Sequence, residues 1–207
     1  DGAPRKVVAL LSKQAFCYVF DRVTGEPIWP IEEKPVPQST APGEKTWPTQ
    51  PFPSKPAAFD RQGVTTDDLI DFTPELKREA LEILARYDYG PLYSPPTEKG
   101  VLVVPSQWGG ADWAGGAAHP GKGLLYVPSH TNVSAILMHP VEDKEAFSIY
   151  SANTPNRIDG PRGLPLLKPP YGRITAIDMH TGEHKWMVPV GPGPVDHPAL
   201  KGLDLPD

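Results

Sequence analysis

Apolar positions fall in short runs separated by turn-forming residues, which is the spacing of sheet hairpins and not of long helices. VVALL within Arg5–Leu11 and FCYVF at Phe16–Phe20 are rich in β-branched and aromatic residues and lie four residues apart, predicting a hairpin. Asp21, Thr24 and Gly25 then supply turn chemistry before a third strand ending at Trp29. Residues 30–63 carry Pro30, Pro35, Pro37, Pro42, Pro48, Pro51, Pro53 and Pro56. Proline has no amide to give a ladder, so this stretch is expected to be an extended surface excursion or linker. One helix is expected over 73–88, with Thr73 as N-cap, Pro74 at the first position, and Leu76, Ala80, Ile83, Leu84 and Tyr87 at helical spacing. Strands return at Val101–Val104 and Leu124–Val127 around a glycine-rich QWGGADWAGGAAHPGKG. The region from His130 to Pro170 reads as polar and irregular, after which Arg173–Ile177 and Lys185–Val190 repeat the strand-turn-strand pattern of the beginning.

Composition sharpens this picture. There are 28 prolines and 19 glycines among 207 residues, which disfavours a helical bundle. Lys+Arg total 20 against Asp+Glu 25 with no block of like charge, so the footprint of a nucleic-acid binder is missing. Cys17 is the single cysteine, which excludes an internal disulfide framework and any CxxC motif. The six histidines form no zinc spacing and are read as structural or exposed. No apolar run approaches the ~18 residues of a transmembrane helix. The chain starts DGAPRKVVALLSK without Met, and the expectation is a piece of a longer polypeptide.

An internal repeat marks two related sheet hairpins. Asp21, Thr24, Gly25, Glu26 and Trp29 sit at offsets 0, 3, 4, 5 and 8, and Asp178, Thr181, Gly182, Glu183 and Trp186 sit at the same offsets. Each copy follows a predicted strand. In such a hairpin Asp caps the turn, Gly accepts positive φ, and Trp offers a broad flat face to a neighbouring sheet. Both tryptophans are therefore read as packing residues.

The D-x-x-T-G-x-x-x-W hairpins resemble the tryptophan-docking motif of the propellers of pyrroloquinoline quinone (PQQ)-dependent dehydrogenases. Ala176-Ile177-Asp178-Met179-His180-Thr181-Gly182-Glu183-His184-Lys185-Trp186 also carries the motif's Ala two residues before Asp, where the first copy has Val19. VFDRVTGEPIWPIEEKPVPQ, PTQPFP, GPLYSPP, VLVVPSQWGGADWAGGAAHP and PPYGRITAIDMHTGEHKW follow one another in the order seen in the membrane-type glucose dehydrogenases and their soluble relatives. The resemblance implies an all-β fold, a partial eight-bladed β-propeller of about two to three blades with one inserted helix and long Pro/Gly-rich loops. Residues 1–207 would form a segment of a single propeller domain.

It also implies chemistry. The family oxidises a sugar, such as the aldose glucose, or an alcohol by hydride transfer to PQQ, assisted by Ca²⁺, and passes the electrons to ubiquinone or cytochrome c in the periplasm. Lys13, eight residues before Asp21, matches the family's cation beside the quinone oxygens, a catalytic and cofactor-binding place. Gln107 and Asp112-Trp113 match the cofactor side, with Asp112 where the family has Asn. The family's catalytic base and calcium ligands precede the residue matching Lys13, so no metal ligand is assigned in this chain. The remaining blades are an expected partner, and the 207 residues alone are expected to be inactive. The alternative is a non-catalytic propeller scaffold for protein binding, which needs neither Lys13 nor the Gly/Trp segment.

Overall fold

The computed structural model describes residues 4–111, 115–154 and 158–205. The strands β1 (Val7–Leu11) and β2 (Cys17–Asp21) form the expected antiparallel hairpin, from Val7↔Asp21 to Leu11↔Cys17. The third strand expected to end at Trp29 is reduced to a single bridge between Phe20 and Pro27. The cause is local: Ile28 still donates to the Val19 carbonyl at 2.8 Å, but Pro27 and Pro30 have no amide with which to extend a ladder.

The proline-rich stretch corrects the sequence reading in the other direction. It contains β3 (Ile31–Pro35) and β4 (Thr49–Pro53), paired antiparallel with Glu33↔Pro51 and Ile31↔Pro53. Ser54 N–H donates to the Pro30 carbonyl at 2.8 Å and Val36 N–H to the Pro48 carbonyl at 3.1 Å, so the hydrogen-bonded pairs are the even-numbered positions of β3. Pro35, Pro51 and Pro53 all occupy the alternate, non-hydrogen-bonded pairs, where the missing amide would have faced outward. Proline spacing, not proline density, decides whether a ladder forms.

The helix α1 (Pro74–Leu84) is shorter than its apolar spacing suggested and begins as read, with the Thr73 hydroxyl accepting from Leu76 N–H at 3.2 Å. It buries Leu76, Ala80 and Leu84, each completely buried leucine contributing roughly 1.5–3 kcal/mol. They pack among Leu102, Val104 and Ala135 and the 164–167 leucines. Leu102 belongs to β5 (Val101–Val103). After β6 (Ala117–His119) and β7 (Leu124–His130) come β8 (Ser134–Pro140) and β9 (Tyr150–Asn153), inside the region read as irregular. They form with β5 a sheet of order β5-β8-β9. β8 pairs with β5, about thirty residues back along the chain, and with β9 across the long 141–149 loop, so no tight-turn hairpin signal announces it.

The chain closes with β10 (Gly172–Asp178) and β11 (Glu183–Pro189), which complete an antiparallel four-stranded sheet of order β11-β10-β7-β6. The β1-β2 hairpin and this sheet share one core, in which Ala15, Cys17 and Val19 meet Phe59, Ala111, Leu125, Val127 and Ile177. Two sheets packed on a shared core, each carrying a D-x-x-T-G-x-x-x-W motif, make the chain a partial β-propeller with one inserted helix.

Candidate cofactor site

Lys13 lies in the tight turn between β1 and β2. Ser12 N–H donates to the Phe16 carbonyl at 2.9 Å and Ala15 N–H to the Ser12 carbonyl at 3.1 Å. Ala15 closes the turn at φ 66°, a left-handed conformation that costs a non-glycine residue about 1–2 kcal/mol. Two arms hold this turn from outside it. On one side Phe59 N–H donates to the Ala15 carbonyl at 3.0 Å and the Gln62 side-chain amide to the Gln14 carbonyl at 2.6 Å. On the other, Gly110 N–H donates to the Lys13 carbonyl at 3.0 Å, and the Gly110 carbonyl accepts from His130 N–H at 2.9 Å.

The fold thus brings Lys13 and the glycine-rich segment together. The Lys13 ammonium donates to the Gln107 carbonyl at 3.1 Å. A side-chain carbon on Gly109 would sit 2.8 Å from Lys13 Cγ and 2.9 Å from its Cα, so only glycine allows this approach, and Gly109 also takes φ 84°. Gln107 N–H is tied to Ser134 Oγ at 3.3 Å, while Gln107 Oε1 is buried without a partner among the described residues. Asp112 and Trp113 lie outside the described residues. Lys13 is solvent-exposed while Gly109 and Gly110 are buried against its turn, which leaves a fixed cation over the glycine-rich segment. Among the described residues no group of three or more His, Cys, Asp or Glu side chains is arranged to hold a metal ion.

Beneath the glycine segment lies a polar cluster that no sequence motif announced. The Asp60 carboxylate accepts from the Thr131 hydroxyl at 2.6 Å and stands 3.3 Å from the Arg173 guanidinium, with 0% of the Asp60 side chain and 7% of that of Arg173 exposed. Burial pulls the Arg173 guanidinium below its ordinary value, against the opposing pull of Asp60. The three residues are far apart in the chain and follow no common spacing, so a motif search has nothing to find.

Residues 1–206 match the family model described as PQQ: glucose/ethanol/alcohol dehydrogenase, beta-propeller domain. The chain belongs to this family. Among relatives, the quinate/shikimate dehydrogenase (quinone) of Acinetobacter baylyi is 29% identical over 92% of this chain, and quinoprotein glucose dehydrogenase A of Acinetobacter calcoaceticus is 26% identical over the same share. The glycerol dehydrogenase large subunit of Gluconobacter oxydans is 28% identical over 92%. The matched regions make up 26%, 26% and 30% of those proteins, so the chain spans about a quarter of the length of the relatives it resembles. A solved quinohemoprotein alcohol dehydrogenase from Pseudomonas putida HK5 aligns over 92% of this chain and 23% of its own, with 21% identity and a TM-score of 0.47. Among these homologues the shared class is the PQQ-dependent quinoprotein dehydrogenase.

Proposed function

We propose that this chain supplies blades of a periplasmic PQQ-dependent dehydrogenase that oxidises a sugar, with glucose the first candidate, or an alcohol. Electrons would pass to ubiquinone or cytochrome c. The observation that carries the reading is the meeting of the exposed Lys13 ammonium with the Gln107 carbonyl, which sets a cation over the glycine-rich segment. The residues present fit the group: Lys13 would face the quinone oxygens, and Gln107 Oε1, buried without a partner among the described residues, would be the polar contact on the glycine side. When bound, the quinone supplies the two-electron acceptor. Lys13 would stabilise negative charge on oxygen at that place, a task for which a preorganised donor is worth roughly a hundredfold or more in rate. Gly109 leaves room for the Lys13 stem to lie directly against the segment, so that its ammonium reaches the Gln107 carbonyl. Calcium and the proton-accepting base belong, in this reading, to blades outside the 207 residues.

Further blades are also part of the proposal. Gly25 at φ 78° has no atom within 4 Å of where its side chain would point, whereas Gly182, the matching residue of the second motif, is covered. Trp186 is 41% exposed and meets Tyr126 at 5.7 Å between ring centroids. One motif lacks an incoming indole and the other presents one, as expected for two blades with neighbours on both sides.

The test adds PQQ and Ca²⁺ to the full-length polypeptide carrying these residues and follows quinone reduction over a panel of aldoses and alcohols, beside Lys13→Ala. Aldose- or alcohol-dependent reduction that falls about a hundredfold in the variant is the expected result. Absence of PQQ binding would replace this reading with that of a binding scaffold.

A further inference from the structure

Asp60, Thr131 and Arg173 form a closed polar unit inside the shared core. Thr131 Oγ1 donates to Asp60 Oδ1 at 2.6 Å and accepts from Arg173 Nη2, which also donates to the Pro170 carbonyl at 2.9 Å. Arg61 N–H adds a 2.7 Å bond to Asp60 Oδ1. Asp60 Oδ2 and Arg173 Nε are buried and find no partner among the described residues. A buried ion pair with unmet polar atoms is a poor source of stability, since apolar residues of the same volume often serve as well. Its placement is more telling than its energy.

Each arm of the clamp around Lys13 passes through this unit. Asp60 follows Phe59, whose N–H holds the Ala15 carbonyl, and it precedes Gln62, whose side chain holds the Gln14 carbonyl. Thr131 follows His130, whose N–H holds the Gly110 carbonyl, and Gly110 N–H holds the Lys13 carbonyl. Arg173, at the start of β10, ties the Phe59–Gln62 arm through Asp60 to the four-stranded sheet, to which the His130 arm already belongs as the end of β7. A side-chain carbon on Gly110 would lie only 3.6 Å from Asp60 Cβ, so the tether and the glycine segment are in direct apposition.

We infer that the Asp60–Thr131–Arg173 cluster is a positioning device that locks the two backbone arms holding Lys13, and so sets where its ammonium stands relative to the Gln107–Gly110 segment. The inference rests on the proposed place of Lys13 beside PQQ, and it makes Asp60 and Thr131 positioning residues that act through Lys13 without touching the ligand.

The experiment compares Thr131→Val, Asp60→Asn, Lys13→Ala and the Asp60→Asn/Lys13→Ala double variant in the full-length protein. Thr131→Val keeps shape and both charges while removing the bridging hydroxyl, so it remains informative if Asp60→Asn does not fold. Two quantities are read: hydrogen exchange at the Phe59 and Gly110 amides, with α1 as internal reference, and the PQQ dissociation constant by absorbance titration. The expected result is exchange at least about tenfold faster at both amides with α1 unchanged. PQQ binding should weaken about tenfold in Asp60→Asn, with no further loss when that change is added to Lys13→Ala. Wild-type exchange rates at Phe59 and Gly110 overturn the positioning role, and so does an Asp60→Asn loss repeated in full without Lys13. Unchanged PQQ affinity in Lys13→Ala alone would sink the cofactor reading, and the exchange rates would still decide the tether.

Discussion

Trp29 lies across Gly182: a side-chain carbon placed on that glycine would sit 2.9 Å from the indole Cζ2 and 3.0 Å from Cε2. The first motif's indole therefore docks on the second motif's turn, with the Lys55 stem on the same glycine and the Lys55 ammonium bonded to the Thr181 carbonyl at 3.2 Å. The two motif-bearing sheets are neighbours in space although the whole helix-containing insertion separates them in the chain. Gly182→Ala must pay both the left-handed backbone, at φ 73°, and a collision with the indole, while Gly25→Ala meets open space. Urea unfolding should show Gly182→Ala costing about 1–3 kcal/mol more than Gly25→Ala. That excess should shrink in a Trp29→Ala background, and equal costs in both backgrounds would refute the docking.

Ala15 is fully buried at φ 66°, against Gly110 and with its carbonyl held by Phe59 N–H. Ala15→Val introduces a β-branch into a left-handed residue with no room around it, and should destabilise by about 2–4 kcal/mol. Ala15→Gly trades a lost methyl contact against released backbone strain and should change stability by less than about 1 kcal/mol. Denaturant midpoints of the two variants decide this, and a well-tolerated valine would show that the turn is not tightly held.

Burial pushes the Cys17 thiol up to about 12, and its side chain has no exposed surface. Reactivity requires the thiolate, so a maleimide at about pH 8 should leave Cys17 unmodified in the folded chain and label it fully in urea. Mass spectrometry of the two samples gives the answer, and rapid native labelling would contradict the shared core.

The turn aspartates make stability depend on acid. Asp178 is held below the ordinary carboxylate range mainly by His180 N–H, which donates to it at 2.8 Å, and Asp21 chiefly by Val23 N–H at 2.8 Å. A folded value below the unfolded one means the stabilisation is complete above the unfolded aspartate value, about 3.9, and is lost as pH falls through the lower folded value. Stability measured from about pH 6 to pH 2 should therefore drop at the acid end, and the Asp21→Asn/Asp178→Asn variant, which keeps the acceptor oxygen without the charge, should show a shallower drop.

Local signals in the sequence were sufficient for the β1-β2 hairpin, for the start of α1 at Thr73-Pro74, and for the two D-x-x-T-G-x-x-x-W turns, because each depends on residues within a few positions of one another. The motif order carried the family and Lys13 as a candidate. What could not be read locally was pairing between distant segments. The β3-β4 ladder follows from proline parity across two strands, β8 from a partner in β5, and the docking of Trp29 on Gly182 from sheets far apart in the chain. The clamp on Lys13 is of the same kind. Phe59, Gln62 and Gly110 reach its turn, and Asp60, Thr131 and Arg173 fasten them, only once the sheets have stacked. Turn and cap chemistry is encoded in adjacent residues, whereas the position of a charged side chain depends on which distant backbone amides the packed core delivers to it.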